Sequence, residues 1–89
     1  TGVSVIITCF NLEKYIGLAI ESVLSQRFAG ELEILVVDDC SSDGSASVIA
    51  RYPEVTMLTT PTNSGVLLAT VLGLRAARHE IVAFLDGDD

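Results

Sequence analysis

The 89-residue chain is long enough for one domain, near the lower end for a fold of mixed strands and helices. With 49% hydrophobic residues it is too apolar to be disordered, yet no uncharged apolar run nears the roughly 18 residues of a membrane span. A net charge of −7, from 12 acids against five bases, excludes a basic face for nucleic-acid phosphates.

Residues 3–8 form a β-branched run that reads as a buried strand, without the basic flank or small-residue cleavage site of a signal peptide. Asn11 is placed to cap a helix in which Leu12, Ile16, Ala19, Ile20 and Val23 recur at helical steps up to Gln26. Phe28-Ala29-Gly30 breaks it. Residues 33–38 are a second buried strand, ending abruptly in acid, and residues 39–44 are turn chemistry throughout. A shorter helix is expected over 45–51. Past Pro53, Val55–Thr59 is a third strand and residues 61–65 a loop. Residues 66–78 are apolar almost all round, which predicts a deeply packed helix. Residues 81–85 make the fourth strand, followed by Asp86-Gly87-Asp88-Asp89.

Strands alternating with helices build successive βαβ units, hence an α/β fold with a largely parallel sheet and right-handed crossovers. No repeat, low-complexity tract or linker divides the chain.

The acidity is local. Asp38, Asp39, Asp43, Asp86, Asp88 and Asp89 form two clusters, and setting those six aside leaves six acids against five bases. Either cluster alone fits an ordinary turn as well as a cation site. Both follow strands, however, and ligands of open parallel sheets sit beyond the carboxyl ends of the strands. The two clusters should therefore meet on one rim, which favours a functional reading. In an extended segment Asp86 and Asp88 point the same way about 6.5–7 Å apart along the chain. Two carboxylates so placed can share a hard divalent cation, and Gly87 lets the backbone approach a bulky ligand. Asp89 points away.

The glycine-rich nucleotide fingerprints are missing: neither Gly-x-Gly-x-x-Gly after the first strand nor a Gly-Lys-Ser/Thr loop is present. With one lysine and four arginines in all, a bound diphosphate would need a metal. Cys9 and Cys40 form no metal-binding pattern, and a reduced intracellular setting is expected. Following neighbouring strands, they are either independent packing residues or close to disulfide range.

The ordered set Ser4-Val5-Ile6-Ile7-Thr8-Cys9-Phe10-Asn11, Tyr15, Ser22-Val23-Leu24-Ser25-Gln26, residues 33–39 with Ser41, Asp43 and Gly44, Asn63-Ser64-Gly65, Gly73-Leu74, Ala76-Ala77 and residues 81–89 resembles the family 2 glycosyltransferases. The resemblance runs from end to end. It implies the GT-A fold, a Rossmann-like three-layer α/β/α arrangement, with residues 1–89 as its nucleotide-sugar-binding half and the acceptor-binding half absent. It further implies transfer of a sugar, usually from a UDP-linked donor, to a saccharide or lipid-linked acceptor, with inversion and with Mn²⁺ or Mg²⁺ on the diphosphate. Cell-envelope polysaccharide synthesis in the cytoplasm is the implied setting, with any contact to the inner face of the membrane made through other regions.

By the same resemblance, Thr8 and Phe10 line the base pocket beside Asn11, Asp39 accepts a hydrogen bond from uracil, and Asp38 supports that turn. Asn63 and Gly65 shape the loop below the donor. Asp86 lies nearer the ribose and diphosphate, and Asp88 is the principal metal ligand with Asp86 beside it.

There are departures from the family pattern. Phe10 lacks the common tyrosine hydroxyl. Cys40 replaces a common glycine, so that turn is expected to manage without positive φ. Thr70-Val71 stands where Arg-Asn is common. His79 stands for a glycine and is read as a surface residue at the helix end, not a base. The family's catalytic base lies beyond residue 89, so this segment alone is expected to be inactive. Its apolar edge at 81–85 is expected to self-associate. The alternatives are a non-catalytic nucleotide-sugar-binding module and a phosphate-receiver domain; Thr8-Cys9 and the scarcity of lysine oppose the latter.

Overall fold

Side chains of a strand alternate between the two faces of its sheet, so a strand apolar at every position needs cover on both. The computed structural model, which describes residues 2–26 and 30–87, supplies that cover. Its elements are β1 (Gly2–Cys9), α1 (Ile16–Leu24), β2 (Glu31–Asp38), α2 (Ser45–Ile49), β3 (Val55–Thr59), α3 (Val66–Ala76) and β4 (Ile81–Asp86). All four strands are parallel, in the order β3-β2-β1-β4. No helix among the described residues is long and apolar enough to cross a membrane.

The alternation builds three layers. Val5, Ile7 and Cys9 of β1, with Ile34 and Val36 of β2, pack in one buried cluster with Ile16, Ile20 and Val23 of α1 and Ile49 of α2. Ile6, Leu35 and Val37 form a second cluster with Ala69 of α3. Full burial of each valine, leucine and isoleucine among them is worth about 1.5–3 kcal/mol. Gly73 lets α3 lie close to the sheet, because a Cβ there would stand 2.6 Å from Cγ2 of Ile6.

Five expectations need correction. The third helix is not deeply packed: only Ala69 and Gly73 are buried, while Val66, Leu67, Leu68 and Leu74 are exposed. One face meets the sheet, and nothing among the described residues covers the other. The first helix begins at Ile16, not after Asn11, because residues 13–15 form a turn in which the Tyr15 and Ile16 amides both reach the Leu12 carbonyl. Asn11 itself has φ 51° and caps something else. Nor does the turn after β2 manage without positive φ; Cys40 adopts φ 58°. The second helix stops at Ile49, and the expected break at Phe28 and Ala29 lies outside the described residues.

His79 is the fifth correction. Its side chain is only 17% exposed and the helix cap is Ala77. It lies at the amino-terminal rim of the sheet, where a Cβ on Gly2 would collide with its ring. Beside it is a contact the sequence pattern did not single out. Buried Glu33 accepts hydrogen bonds from Ser4 Oγ (2.7 Å), the Arg78 amide (2.9 Å) and Arg78 Nε (2.8 Å). Burial raises the Glu33 carboxyl, and these donors more than reverse it, leaving it below the usual carboxylate range. The network ties the entry of β4 to β1 and β2.

Left-handed backbone costs a residue with a Cβ about 1–2 kcal/mol, whereas glycine adopts it freely but loses more chain entropy on folding. Cys40→Gly should therefore raise unfolding stability by about 0.5–1 kcal/mol in urea titration. A variant less stable than the parent would show that the Cys40 side chain contributes more than its backbone costs.

Candidate functional site

The carboxyl ends of β1, β2 and β4 lie side by side, because the register sets Cys9 opposite Asp38 and Thr8 opposite Asp86. Asp38 and Asp86 therefore flank β1 on one rim, as the sequence predicts for these two acids. A cleft of about 350 Å³ opens there, lined by Thr8, Cys9, Phe10, Leu12, Asp39, Val66, Ala69, Asp86 and Gly87. Of the expected site residues, Thr8, Phe10, Asp39 and Asp86 line it directly. Thr8 Oγ1 donates to Asp86 Oδ1 at 3.3 Å, and the Gly87 amide donates to the Thr8 carbonyl at 2.8 Å, which brings the acidic segment over the end of β1. Asp88, the expected principal ligand, and Asp89 lie outside the described residues.

Asp39 is the most constrained group of the site. It is 3% exposed, and its amide continues the sheet by donating to the Cys9 carbonyl at 2.8 Å. Its Oδ1 accepts from Thr60 Oγ1 (2.6 Å) and the Ser64 amide (2.9 Å), and its Oδ2 from the Gly65 amide (2.8 Å). Burial pushes this carboxyl up, but the three donors outweigh it and hold the group below the usual carboxylate range. Asp39 is thus an ionised, acceptor-only group with about one of four lone-pair sites left. Gly65 can present its amide there because it sits at φ 90°, which a side chain would resist. Asn63 Nδ2 donates to the Asp39 carbonyl at 3.3 Å, so Asn63 and Gly65 shape the loop beneath the site without lining the cleft.

Asp38 is buried like Asp39 but has different partners, accepting from Ser41 Oγ. Behind it, the loops after β1 and β2 cap each other. The amides of Asn11, Leu12 and Glu13 donate to Ser41 Oγ (2.9 Å), Ser45 Oγ (3.0 Å) and Asp43 Oδ2 (3.2 Å). In return the Ser42 amide donates to Asn11 Oδ1 (2.8 Å) and the Gly44 amide to Glu13 Oε1 (3.0 Å). Asn11 therefore caps the second loop rather than the first helix, and it stands behind the cleft instead of lining it. Ser45 Oγ completes the lattice by donating to Asp43 Oδ1 at 2.5 Å. The effect is to hold Phe10, half exposed, at the mouth of the cleft.

Several of these residues escape a reading of the sequence. Leu12, Val66 and Ala69 carry no polar signal. Thr60 escapes as well, because its place beside Asp39 follows from the pairing of β3 with β2, which sets Thr59 opposite Asp38. The two cysteines are free thiols, Cys9 buried in the cleft wall and Cys40 exposed, with Sγ 3.7 Å from the Pro61 carbonyl. Burial pushes the Cys9 thiol up, away from the reactive thiolate.

Among the described residues no group of three His, Cys, Asp or Glu side chains could hold a metal ion. Asp86 offers a hard oxygen at the rim, of the kind Mg²⁺ and Mn²⁺ prefer.

Residues 4–89 match the family described as Glycosyl transferase family 2. The chain belongs to that family. It is 41% identical to an uncharacterised glycosyltransferase of Nostoc sp. over 98% of this chain and 28% of that protein. It superposes on Staphylococcus aureus TarS 1-349 in complex with UDP with a TM-score of 0.91 and 34% identity, over 99% of this chain and 28% of that one. The mannosyltransferase PcManGT of Pyrobaculum calidifontis, in complex with GDP-Man and Mn²⁺, gives a TM-score of 0.90 and 30% identity over 97% and 27%. These likenesses bear out the GT-A class of fold. The chain spans 28% and 36% of the length of the first two curated relatives that it matches.

Asp39→Asn keeps the shape of the side chain but turns an amide N–H₂ toward a backbone or hydroxyl donor. The expected cost is about 2–3 kcal/mol at pH 7 in urea unfolding. Because the folded carboxyl is depressed, its stabilisation is complete above the ordinary value of about 3.9 and is lost as pH falls through the lowered folded value. The gap between variant and parent should close over that acid window; a pH-independent gap would show that the charge is not what the donors hold.

Proposed function

We propose that the cleft is the donor site of a glycosyltransferase that moves a sugar from a nucleotide-diphosphate sugar, UDP-linked, to a saccharide or lipid-linked acceptor. The observation that carries this reading is the convergence of Thr8, Phe10, Asp39 and Asp86 on one cleft at the strand ends. Its relative TarS was solved with UDP and with UDP-GlcNAc, which supports the uridine donor.

In this reading Phe10 offers a ring face against which the base stacks, and Asp39 accepts the base N–H with its remaining lone pair. Asp38, Asn11, Asn63 and Gly65 hold the surrounding loops and thereby fix where the base lies. Asp86 sits nearest the ribose and diphosphate, and Asp86 with Asp88 would hold Mn²⁺ or Mg²⁺. That cation, when bound, supplies Lewis-acid stabilisation of the departing diphosphate. Asp39 and Asp86 at the rim, unneutralised by any base lining the cleft, would otherwise repel the donor. Inversion would need a base on the acceptor side, which the proposal places beyond residue 89. Residues 1–89 are then the nucleotide-sugar-binding half, inactive alone, working on the cytoplasmic side with any membrane contact made elsewhere.

UDP should bind in calorimetry only when Mn²⁺ or Mg²⁺ is present, and tight binding in excess EDTA would overturn the metal role. Asp88→Asn should abolish the metal dependence while Asp89→Asn does much less; equal losses would mean the ligand is misassigned.

The isolated 1–89 chain should also self-associate. β4 pairs with β1 on one side only among the described strands, Ile81 and Phe84 are exposed, and no Lys or Pro blunts the strand. Sedimentation should report species larger than a monomer, reduced by Phe84→Lys. A monodisperse parent chain would refute the edge as the cause.

A further inference from the structure

Thr60 is 8% exposed and does not itself line the cleft, yet it is bonded at both ends to adjacent acids, one of which, Asp39, does. Its amide donates to the Asp38 carbonyl at 3.1 Å and its hydroxyl to Asp39 Oδ1 at 2.6 Å. The hydroxyl also lies 2.8 Å from the Thr62 carbonyl, but it carries a single hydrogen. Ser64 Oγ reaches that same carbonyl at 3.0 Å, so the carbonyl has its own donor. An ionised carboxylate is the stronger acceptor, and the Thr60 proton goes to Asp39.

The division of partners between the two carboxylate oxygens follows. Oδ1 takes both the Thr60 hydroxyl and the Ser64 amide, while Oδ2 takes the Gly65 amide alone. Backbone donors from one loop could follow the carboxylate if it rotated. The Thr60 hydroxyl, anchored through its own amide to β2, could not. We infer that Thr60 is a positioning residue for donor recognition, fixing the rotation of the Asp39 carboxylate so that one acceptor site on Oδ2 remains for the nucleotide base. The inference rests on the donor-site reading above. An acceptor-only carboxylate suits a ring that presents N–H, as uracil does, and opposes cytosine, whose corresponding ring nitrogen is itself an acceptor.

The test is calorimetric titration of the full chain with UDP and with CDP, each with Mn²⁺. Thr60→Val, which replaces the hydroxyl with a methyl, should weaken UDP binding by about tenfold and narrow the preference for UDP over CDP. Thr60→Ser should restore both, because it returns the donor. Thr60→Ala provides a second hydroxyl-free variant should valine disturb folding, which thermal melting will show. Parent-like affinity and preference in folded Thr60→Val or Thr60→Ala would overturn the inference, as would a Thr60→Ser variant no better than they are. A parent chain that fails to bind UDP at all would instead overturn the donor-site reading, and this inference with it.

Discussion

The parallel register of β1 against β2 is the constraint on which the rest depends. Eight consecutive residue pairs, from Gly2 with Glu31 to Cys9 with Asp38, leave no freedom to slip. A shift of one residue would send every side chain of a strand to the opposite face. Here both faces are buried under different helices, so a slip would disrupt both clusters at once. The same register ends with the Asp39 amide on the Cys9 carbonyl, and so it also sets where the acidic turn begins.

Beyond that point backbone polarity takes over from apolar packing. The loops after β1 and β2 are short and rich in serine, aspartate and asparagine, and each satisfies amides of the other. Mutual capping makes each loop conditional on the other. It also accounts for two non-glycine residues in left-handed backbone, Asn11 and Cys40, at the two points where the chains must turn toward each other.

The carboxylates at the rim are held by neutral donors. Asp39 is bonded to two amides and a hydroxyl, which keep it ionised without cancelling its charge, and Asp38 accepts from a hydroxyl. At the opposite rim Glu33 is paired with Arg78. One end of the sheet thus pairs its buried acid with a guanidinium, while the other gives its buried acids neutral donors only. Under the proposed function, that asymmetry is why a diphosphate donor would need a cation on the acidic side.

Much of this was legible in the residues. The four apolar runs, the turn residues between them and the abrupt acids after the second and fourth strands determine the α/β class, the parallel sheet and the rim where Asp39 and Asp86 meet, because periodicity and strand chemistry are local properties. Whether α3 is covered is not local, and its all-round apolar pattern says only that it seeks cover. Asn11 looked like a helix cap because capping chemistry is indifferent to whose amide is capped; only the folded chain placed the Ser42 amide within its reach. Glu33 lay hidden inside a strand, and Thr60 beside a proline, since neither partner is near in sequence. The sequence by itself determined which segments are strands and where charge accumulates. The tertiary structure decided which buried acid meets a guanidinium and which meets only neutral donors, because pairing across a sheet joins residues that no local pattern connects.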